Sequence, residues 1–432
     1  MGKSAIERLQ KLVYNEVSMD FNEKVREINS LLEQHNTFRG DCLNLIASEN
    51  VPSPLVEGLL VEDLDQRYGN YSGIDLRARS YQGNRFIVEI EELAQELAKQ
   101  LFGAAYVDLR PLSGNIAGIA TTFGLARPGD IALEVHNGHQ YAQKLASSPL
   151  EVSLESIEIP WDGLRSNIDI DQTVTLIKKH RPKLVTIGSG VFLFPQPVRE
   201  LREAMNRYRP DSYLIYDAAH VMGLIAGGRF QSPFEEGADV IISSTHKTLA
   251  GPQGGIILTN DRALAEQIGP AVAPLLESNH HLGRLPALAG TFLEWLACGG
   301  EHADVIISNA KALGQALHER GIRLLGQELG FTESHTLIPI VDEFGESKAM
   351  ADQLEACNII AGGASVPPEL GAHGLRIGVQ EVTRRGMTAV DVPEVADCIV
   401  DALKGDDIEG VKGRAAALAG RFNGMRFTLE DI

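Results

Sequence analysis

Apolar residues in RFIVEIEELAQELAKQLFG (Arg85 to Gly103) recur at the three- and four-residue spacing of one helix face. The run stops at a glycine suited to a C-cap. The stretch from Met1 to about Phe38, beginning MGKSAIERLQKLVYNEV, is charged and carries the same period, which predicts a helical arm. AAYVDLRPLSGNIAGIATTFGLARPGD reads as a short strand, a turn with Ser and Gly, and a second helix ending at Gly129. KLVTIG, SYLIYDAAH and ADVIISSTHK are short, β-branched and apolar without alternation, and GGIILT follows after a tight turn. Strands apolar on both faces, alternating with helices, predict a mostly parallel sheet covered on both sides.

The texture changes after about Gly299. EHADVIISNAKALGQALHERG reads as a long helix, HTLIPIVDE as a strand, SKAMADQLEACN as a helix and HGLRIGVQEV as another strand. DVPEVADCIVDALKG is expected to close the series as a helix. This divides the chain into an N-terminal arm (1–40), a large α/β domain (41–299) and a smaller α+β domain (300–432). Internal repeats and low-complexity tracts are absent from the sequence.

Composition changes the picture mainly by exclusion. The 432 residues, 44% hydrophobic and 22% charged, are more than a single compact core holds. The formal net charge of −19 argues against nucleic acid or an anionic membrane as partner. The four cysteines (Cys42, Cys298, Cys357, Cys398) lie far apart and imply neither a zinc site nor a disulfide framework. Neither a signal peptide nor a membrane-spanning run is present, so a soluble cytoplasmic protein is expected. The sequon Asn70-Tyr71-Ser72 then has no glycosylating compartment to meet.

Ligands of open α/β sheets gather beyond the carboxyl ends of strands, and here those ends carry polar residues. LIYDAAH ends with Asp217 and His220; IISSTHK ends with Ser244, Thr245, His246 and Lys247. DLRPLSGN ends with Ser113, Gly114 and Asn115 at the mouth of a helix, and ALEVHNGHQYA supplies His136 and His139. A partly desolvated lysine at a sheet edge suits a Schiff base. Pyridoxal phosphate needs an acid on its pyridine nitrogen, for which Asp217 fits, and a phosphate cradle, for which Ser113-Gly114-Asn115 fits. His139 and the Ala219 methyl suit its two ring faces, and the fork of Arg376 suits a substrate carboxylate. Taken singly, each residue also has a plain structural explanation. Asp217 can cap a helix, His220 can be a satisfied core histidine, Ser113-Gly114 can be only a turn. Arg376 can sit in a surface ion pair and Lys247 in a loop. Their joint occurrence, in this order, is what favours chemistry.

At these residues the chain resembles the serine hydroxymethyltransferase family, of the aspartate-aminotransferase-like fold. LNLIASEN, RSYQGN, DAAHVMGLIAGG, SSTHKTLAGPQGG and GLRIGVQEVTRRGM are similar to its signature segments, almost end to end, and SNHHL and FPQPV resemble archaeal members. The resemblance implies a mostly parallel seven-stranded sheet in the large domain and a homodimer with shared active sites, clasped by the arm. It implies pyridoxal 5'-phosphate as cofactor, Lys247 as the Schiff-base lysine, Asp217 on the pyridine nitrogen, His220 near the phenolic oxygen and His139 stacked on the ring. Ser113, Gly114, Ser244 and His246 would line the phosphate and lysine region. Arg376 would bind the substrate carboxylate, and Tyr68 and Tyr81 would reach the site at least partly from the neighbouring subunit.

The departures concern the second substrate. Where the family has Y-A-E-G, this chain has RYGNYSGIDLRARSYQG, with Asn70 in place of a glutamate that acts in proton transfer; an amide cannot do so. Where the family has N-x-N-x-x-P on the pteridine, NIIAGGASVP presents Gly362 and Ala364. APLLESNHHLG lacks the glycine pair of bacterial members. The expectation is a folate-independent relative acting at Cα and Cβ of a β-hydroxy or β-substituted amino acid. It would be an aldolase or transaldolase, or would eliminate or deaminate a cysteine conjugate, as in antibiotic pathways. The alternatives are a genuine hydroxymethyltransferase using a tetrahydropterin, and a catalytically inactive binding protein.

Overall fold

The computed structural model describes residues 20–136, 138–148 and 152–431. The expected arm therefore lies outside the described residues up to residue 19, and continues as helix α1, Phe21–Gly40. Asp20 caps it, accepting the N–H groups of Asn22 and Glu23. Phe21, Val25, Ile28 and Leu32 form one apolar stripe along it, and none of its residues is buried.

The large sheet has seven strands: β1 (Tyr106–Asp108), β2 (Ile131–Val135), β3 (Glu155–Ile159), β4 (Leu184–Ile187), β5 (Tyr213–Asp217), β6 (Val240–Ser244) and β7 (Gly255–Thr259). Their order is β1-β7-β6-β5-β4-β2-β3. All neighbours are parallel except β7, which runs antiparallel to both β1 and β6 after the tight turn. Strands β4, β5 and β6 are buried or nearly so at every position, which explains their unbroken apolar runs. The sheet is covered by helices that include α2 (Arg85–Phe102) and α3 (Gly114–Leu125). Gly103 ends α2 in the left-handed region, as its position predicts. Helix α3 stops at Ala126 rather than at Gly129, because Pro128 cannot continue it; Gly129 instead turns the chain into β2.

One helix, α4 (Arg284–Glu319), runs straight through the expected boundary at residue 299. The small sheet joins β8 (Thr336–Leu337), β9 (Gly362–Ser365) and β10 (His373–Gly378) in the order β8-β10-β9. Thus HTLIPIVDE is a two-residue strand followed by isolated bridges at Pro339 and Ile340. DVPEVADCIVDALKG forms a helix (Val392–Lys404) but does not close the series; Ile408–Arg421 is a further helix, capped by Asp407. Leu43 and Asn44 pair with Ile359 and Ile360, so the chain just after the arm is stitched to the C-terminal part. Among the described residues no helix is long and apolar enough to cross a membrane.

Candidate active site

Strand β6 delivers Lys247 into a tightly tied turn. The Thr245 N–H donates to Gly254 O at 3.1 Å and its hydroxyl to Pro252 O at 2.5 Å. The carbonyl of Lys247 accepts from Ala250 N at 3.0 Å and from Asn50 Nδ2 at 3.0 Å. Ala250 takes φ 57°, a left-handed conformation that the surrounding bonds must impose. The lysine is 9% exposed, with Nζ 3.4 Å from His220 Nε2. Burial lowers its pKa, Arg376 lowers it further, and Asp217 works in the opposite direction.

Asp217 ends the adjacent strand, β5. Gly188, at φ 121°, lies so close behind it that any Cβ would overlap the Asp217 carbonyl. Its carboxylate accepts from His139 Nδ1 (2.8 Å) and Tyr141 OH (2.7 Å) on Oδ2, and from Ala219 N–H (3.0 Å) on Oδ1. Burial raises its pKa, but His139, Lys247 and Tyr141 outweigh that and hold it below the usual carboxylate range. Asp217 is not a helix cap, since the next helix, Met222–Ala226, follows Val221.

His220 is buried, and among the described residues Nδ1 finds no partner while Nε2 faces Lys247. Burial, then Lys247, keep its pKa well below the ordinary histidine value. A second imidazole, His335 beside β8, stacks on it with centroids 5.9 Å apart and planes at 14°. His335 Nε2 donates to Ala47 O at 3.0 Å, and burial pushes its pKa down to about 4.

The Ser113 hydroxyl accepts the Ile116 N–H, so it caps α3, and the first amides of that helix lie at the sheet edge. Gly114 packs directly on β6; a Cβ there would lie 2.9 Å from Ser244 N. Ser113-Gly114 is thus a strand-to-helix turn whose serine caps α3. The Asn115 side chain, by contrast, accepts Lys144 Nζ at 2.8 Å. Ser244 is buried, with Oγ 3.4 Å from Ala219 O, and His246 is half-buried with Nδ1 unpartnered.

Arg376 on β10 is not in a surface ion pair. It is partly buried, donates to Gly190 O at 2.9 Å, and has no carboxylate partner among the described residues. Burial lowers its pKa. It opens onto a cavity of about 490 Å³ whose walls include Trp161, Val191, Leu325, Ala364, Val366 and Pro367. His136 stands at the same cavity, exposed and 2.7 Å from Glu158.

Among the described residues, Tyr68 and Tyr81 make no hydrogen bond or ring contact with Lys247. They are half-exposed, pair with each other at 5.3 Å, and line a separate surface cavity with Arg67 and Asn84. Asn70 Oδ1 is buried and has no hydrogen-bond partner among the described residues.

Sequence reasoning missed Tyr141, His335 and Trp161. Only Tyr141 left a trace, as a polar aromatic two residues after His139.

These groups fit pyridoxal 5'-phosphate. A buried amine would meet its aldehyde function, an anionic carboxylate would suit its pyridine nitrogen, His220 Nδ1, unpartnered among the described residues, would answer an oxygen, and a helix N-terminus would suit its phosphate. The comparisons agree. The family profile described as Serine hydroxymethyltransferase matches residues 21–399. A serine hydroxymethyltransferase of Sulfolobus acidocaldarius is 38% identical over 418 residues, covering 95% of each chain. One of Methanopyrus kandleri is 40% identical over 390 residues, 89% of this chain and 90% of its own. The crystal structure of L-threonine transaldolase from Pseudomonas fluorescens in internal aldimine state superposes with a TM-score of 0.88 at 28% identity, covering 96% of each chain. With fold, cofactor chemistry and sequence likeness in agreement along the chain, it belongs to the serine hydroxymethyltransferase family and is a pyridoxal 5'-phosphate enzyme.

Proposed function

We propose that this chain forms and breaks the Cα–Cβ bond of a β-hydroxy amino acid without a folate carrier, as an aldolase or transaldolase. The observation that carries this reading is the cavity beside Arg376. Trp161, Val191, Leu325, Val366 and Pro367 offer an apolar aldehyde a surface, and Gly363 and Ala364 present no side-chain amide to a pteridine. The threonine transaldolase likeness supports it.

Lys247 would hold the cofactor through its amine, Asp217 would hold the pyridine nitrogen, and Ser113, Gly114, Ser244 and His246 would flank the phosphate. Pyridoxal phosphate supplies an electron sink for the pair left at Cα when a bond to it breaks. Arg376 clamps the amino acid's carboxylate, which orients the Cα–Cβ bond for cleavage. His220, kept uncharged by burial, is the base nearest the lysine and moves protons at Nε2. Asn70 leaves the family's acid position without an acid. The enzyme works as a homodimer in which α1 clasps the partner, and Tyr68 and Tyr81 serve the neighbouring site.

The test is to supply L-threonine or L-serine with benzaldehyde, with and without tetrahydrofolate. The expected products are the small aldehyde released from the donor and a new aryl β-hydroxy amino acid, at rates indifferent to folate. Relatives named serine hydroxymethyltransferase at 38% and 40% identity support a second reading, hydroxymethyl transfer to a tetrahydropterin. Serine cleavage that requires the pterin would establish it instead.

A further inference from the structure

The carboxylate of Asp217 receives two donors from one short stretch of chain. His139 Nδ1 and Tyr141 OH both reach Oδ2, at 2.8 and 2.7 Å. Side chains two residues apart converge this way because Gln140 between them takes φ 49°, ψ 64°. That left-handed conformation is costly for a residue with a Cβ and persists only when its surroundings impose it. They do. Buried Glu134 accepts the N–H groups of Ala142 (2.9 Å) and Gln143 (3.0 Å), fixing the chain just beyond. The Tyr141 ring lies nearly parallel to that of His139, with centroids 5.7 Å apart. Lys144 Nζ lies over the ring, 5.4 Å from its centroid, and Gly118 of α3 packs so close that any Cβ there would overlap it.

A carboxylate has about four acceptor directions, two on each oxygen. Oδ2 spends both on His139 and Tyr141, and Oδ1 spends one on the Ala219 N–H at 3.0 Å. One direction remains, on Oδ1. Tyr141 is buried, so its hydroxyl is a neutral donor at working pH. A proton shared between pyridine and carboxylate stays on the pyridine only while the carboxylate is held anionic, and a protonated pyridine is the stronger electron sink.

We propose that Tyr141 is the positioning residue for the pyridine-nitrogen contact: by filling Oδ2 it keeps Asp217 anionic and leaves Oδ1 for the pyridinium N–H. This rests on Asp217 facing that nitrogen.

The variant is Tyr141→Phe in the full chain, which keeps the ring and removes the donor. Cofactor retention is measured by equilibrium dialysis of pyridoxal phosphate, beside the visible absorbance of bound cofactor and the melting temperature of the cofactor-free protein. Losing one hydrogen bond to a charged group is expected to weaken retention roughly tenfold. The absorbance is expected to shift, with the cofactor-free melting temperature unchanged, and kcat to fall while KM for the amino acid stays. Gly118→Ala, which displaces the same ring with its hydroxyl intact, should reproduce the cofactor effects. Asp217→Ala separates the two claims. If it also retains cofactor normally, the assignment of Asp217 itself fails. If it loses cofactor while Tyr141→Phe matches the parent in retention and absorbance, the role of Tyr141 alone is overturned. A crystal structure of the cofactor-loaded parent is a check independent of any variant: pyridine nitrogen on Oδ1 supports the proposal, and nitrogen on Oδ2 with Tyr141 displaced refutes it.

Discussion

Lys247 combines burial with a carboxylate and a guanidinium nearby, and each has a signed effect on its proton. Burial and Arg376 favour the neutral amine, while Asp217 favours the charged one. Trapping of the cofactor on the protein by borohydride should therefore rise with pH about a midpoint below that of free lysine. Asp217→Asn, which removes the opposing charge, moves the midpoint lower; Arg376→Gln moves it higher. Mass spectrometry of the reduced protein across a pH series reads both, and midpoints that move the other way would refute the assignment. Much of this was legible in the sequence, because Asp217 and Lys247 are polar residues at the ends of runs that are otherwise apolar. Tyr141 and His335 were not. Their partners lie 76 residues away (Tyr141 to Asp217) or 288 residues away (His335 to Ala47), and no local pattern records such a meeting.

At the scale of elements, the strands hold the site because their ends are locked. Gly188 after β4 has a backbone conformation forbidden to other residues and no room for a Cβ beside Asp217. Gly188→Ala should cost about 1–3 kcal/mol in strain alone, seen as a lower melting temperature and weaker cofactor retention. Behind α2 sits a buried ionic knot. Glu91 accepts from Tyr71 OH (2.8 Å), from Arg79 and from His280 Nε2 (3.2 Å). Burial raises the Glu91 pKa, but His280 and Arg79 bring it down to about 2. A carboxyl held below its unfolded value stabilises the fold above that value, and the contribution fades as pH falls toward 2. Glu91→Gln leaves Arg79 buried and unpaired, at a cost of about 3–5 kcal/mol near neutrality. Denaturant titration should show the gap between parent and variant closing from pH 4.5 downward. The helix and strand order was readable from periodicity. The length of α4 was not, because Gly299 and Gly300 sit within it and look like an ending. In the structure Gly299 packs against Trp295 and Gly300 near Arg229, so small residues serve close packing there.

For the whole molecule, the stripe Phe21, Val25, Ile28 and Leu32 on α1 is apolar surface that the described residues leave exposed. The proposed dimer covers it. Light scattering should give twice the chain mass, and removing residues 1–40 should yield monomer that has lost activity even though Lys247 and Asp217 remain. A monomeric full chain with full activity would refute the shared site, and with it the roles given to Tyr68 and Tyr81.

Helix α4 has a mechanical meaning. At its start Arg284 is clamped to the carbonyls of Leu109, Pro111 and Gly255; further along, Asn309 grips Thr383 Oγ1 and Met387 O at 2.8 Å each. A rod of 36 residues, about 54 Å long at 1.5 Å per residue, is thus fastened at its start and again at Asn309. The rod therefore ties the turn that precedes α3 to the segment just beyond β10, and any movement of one against the other has to bend it.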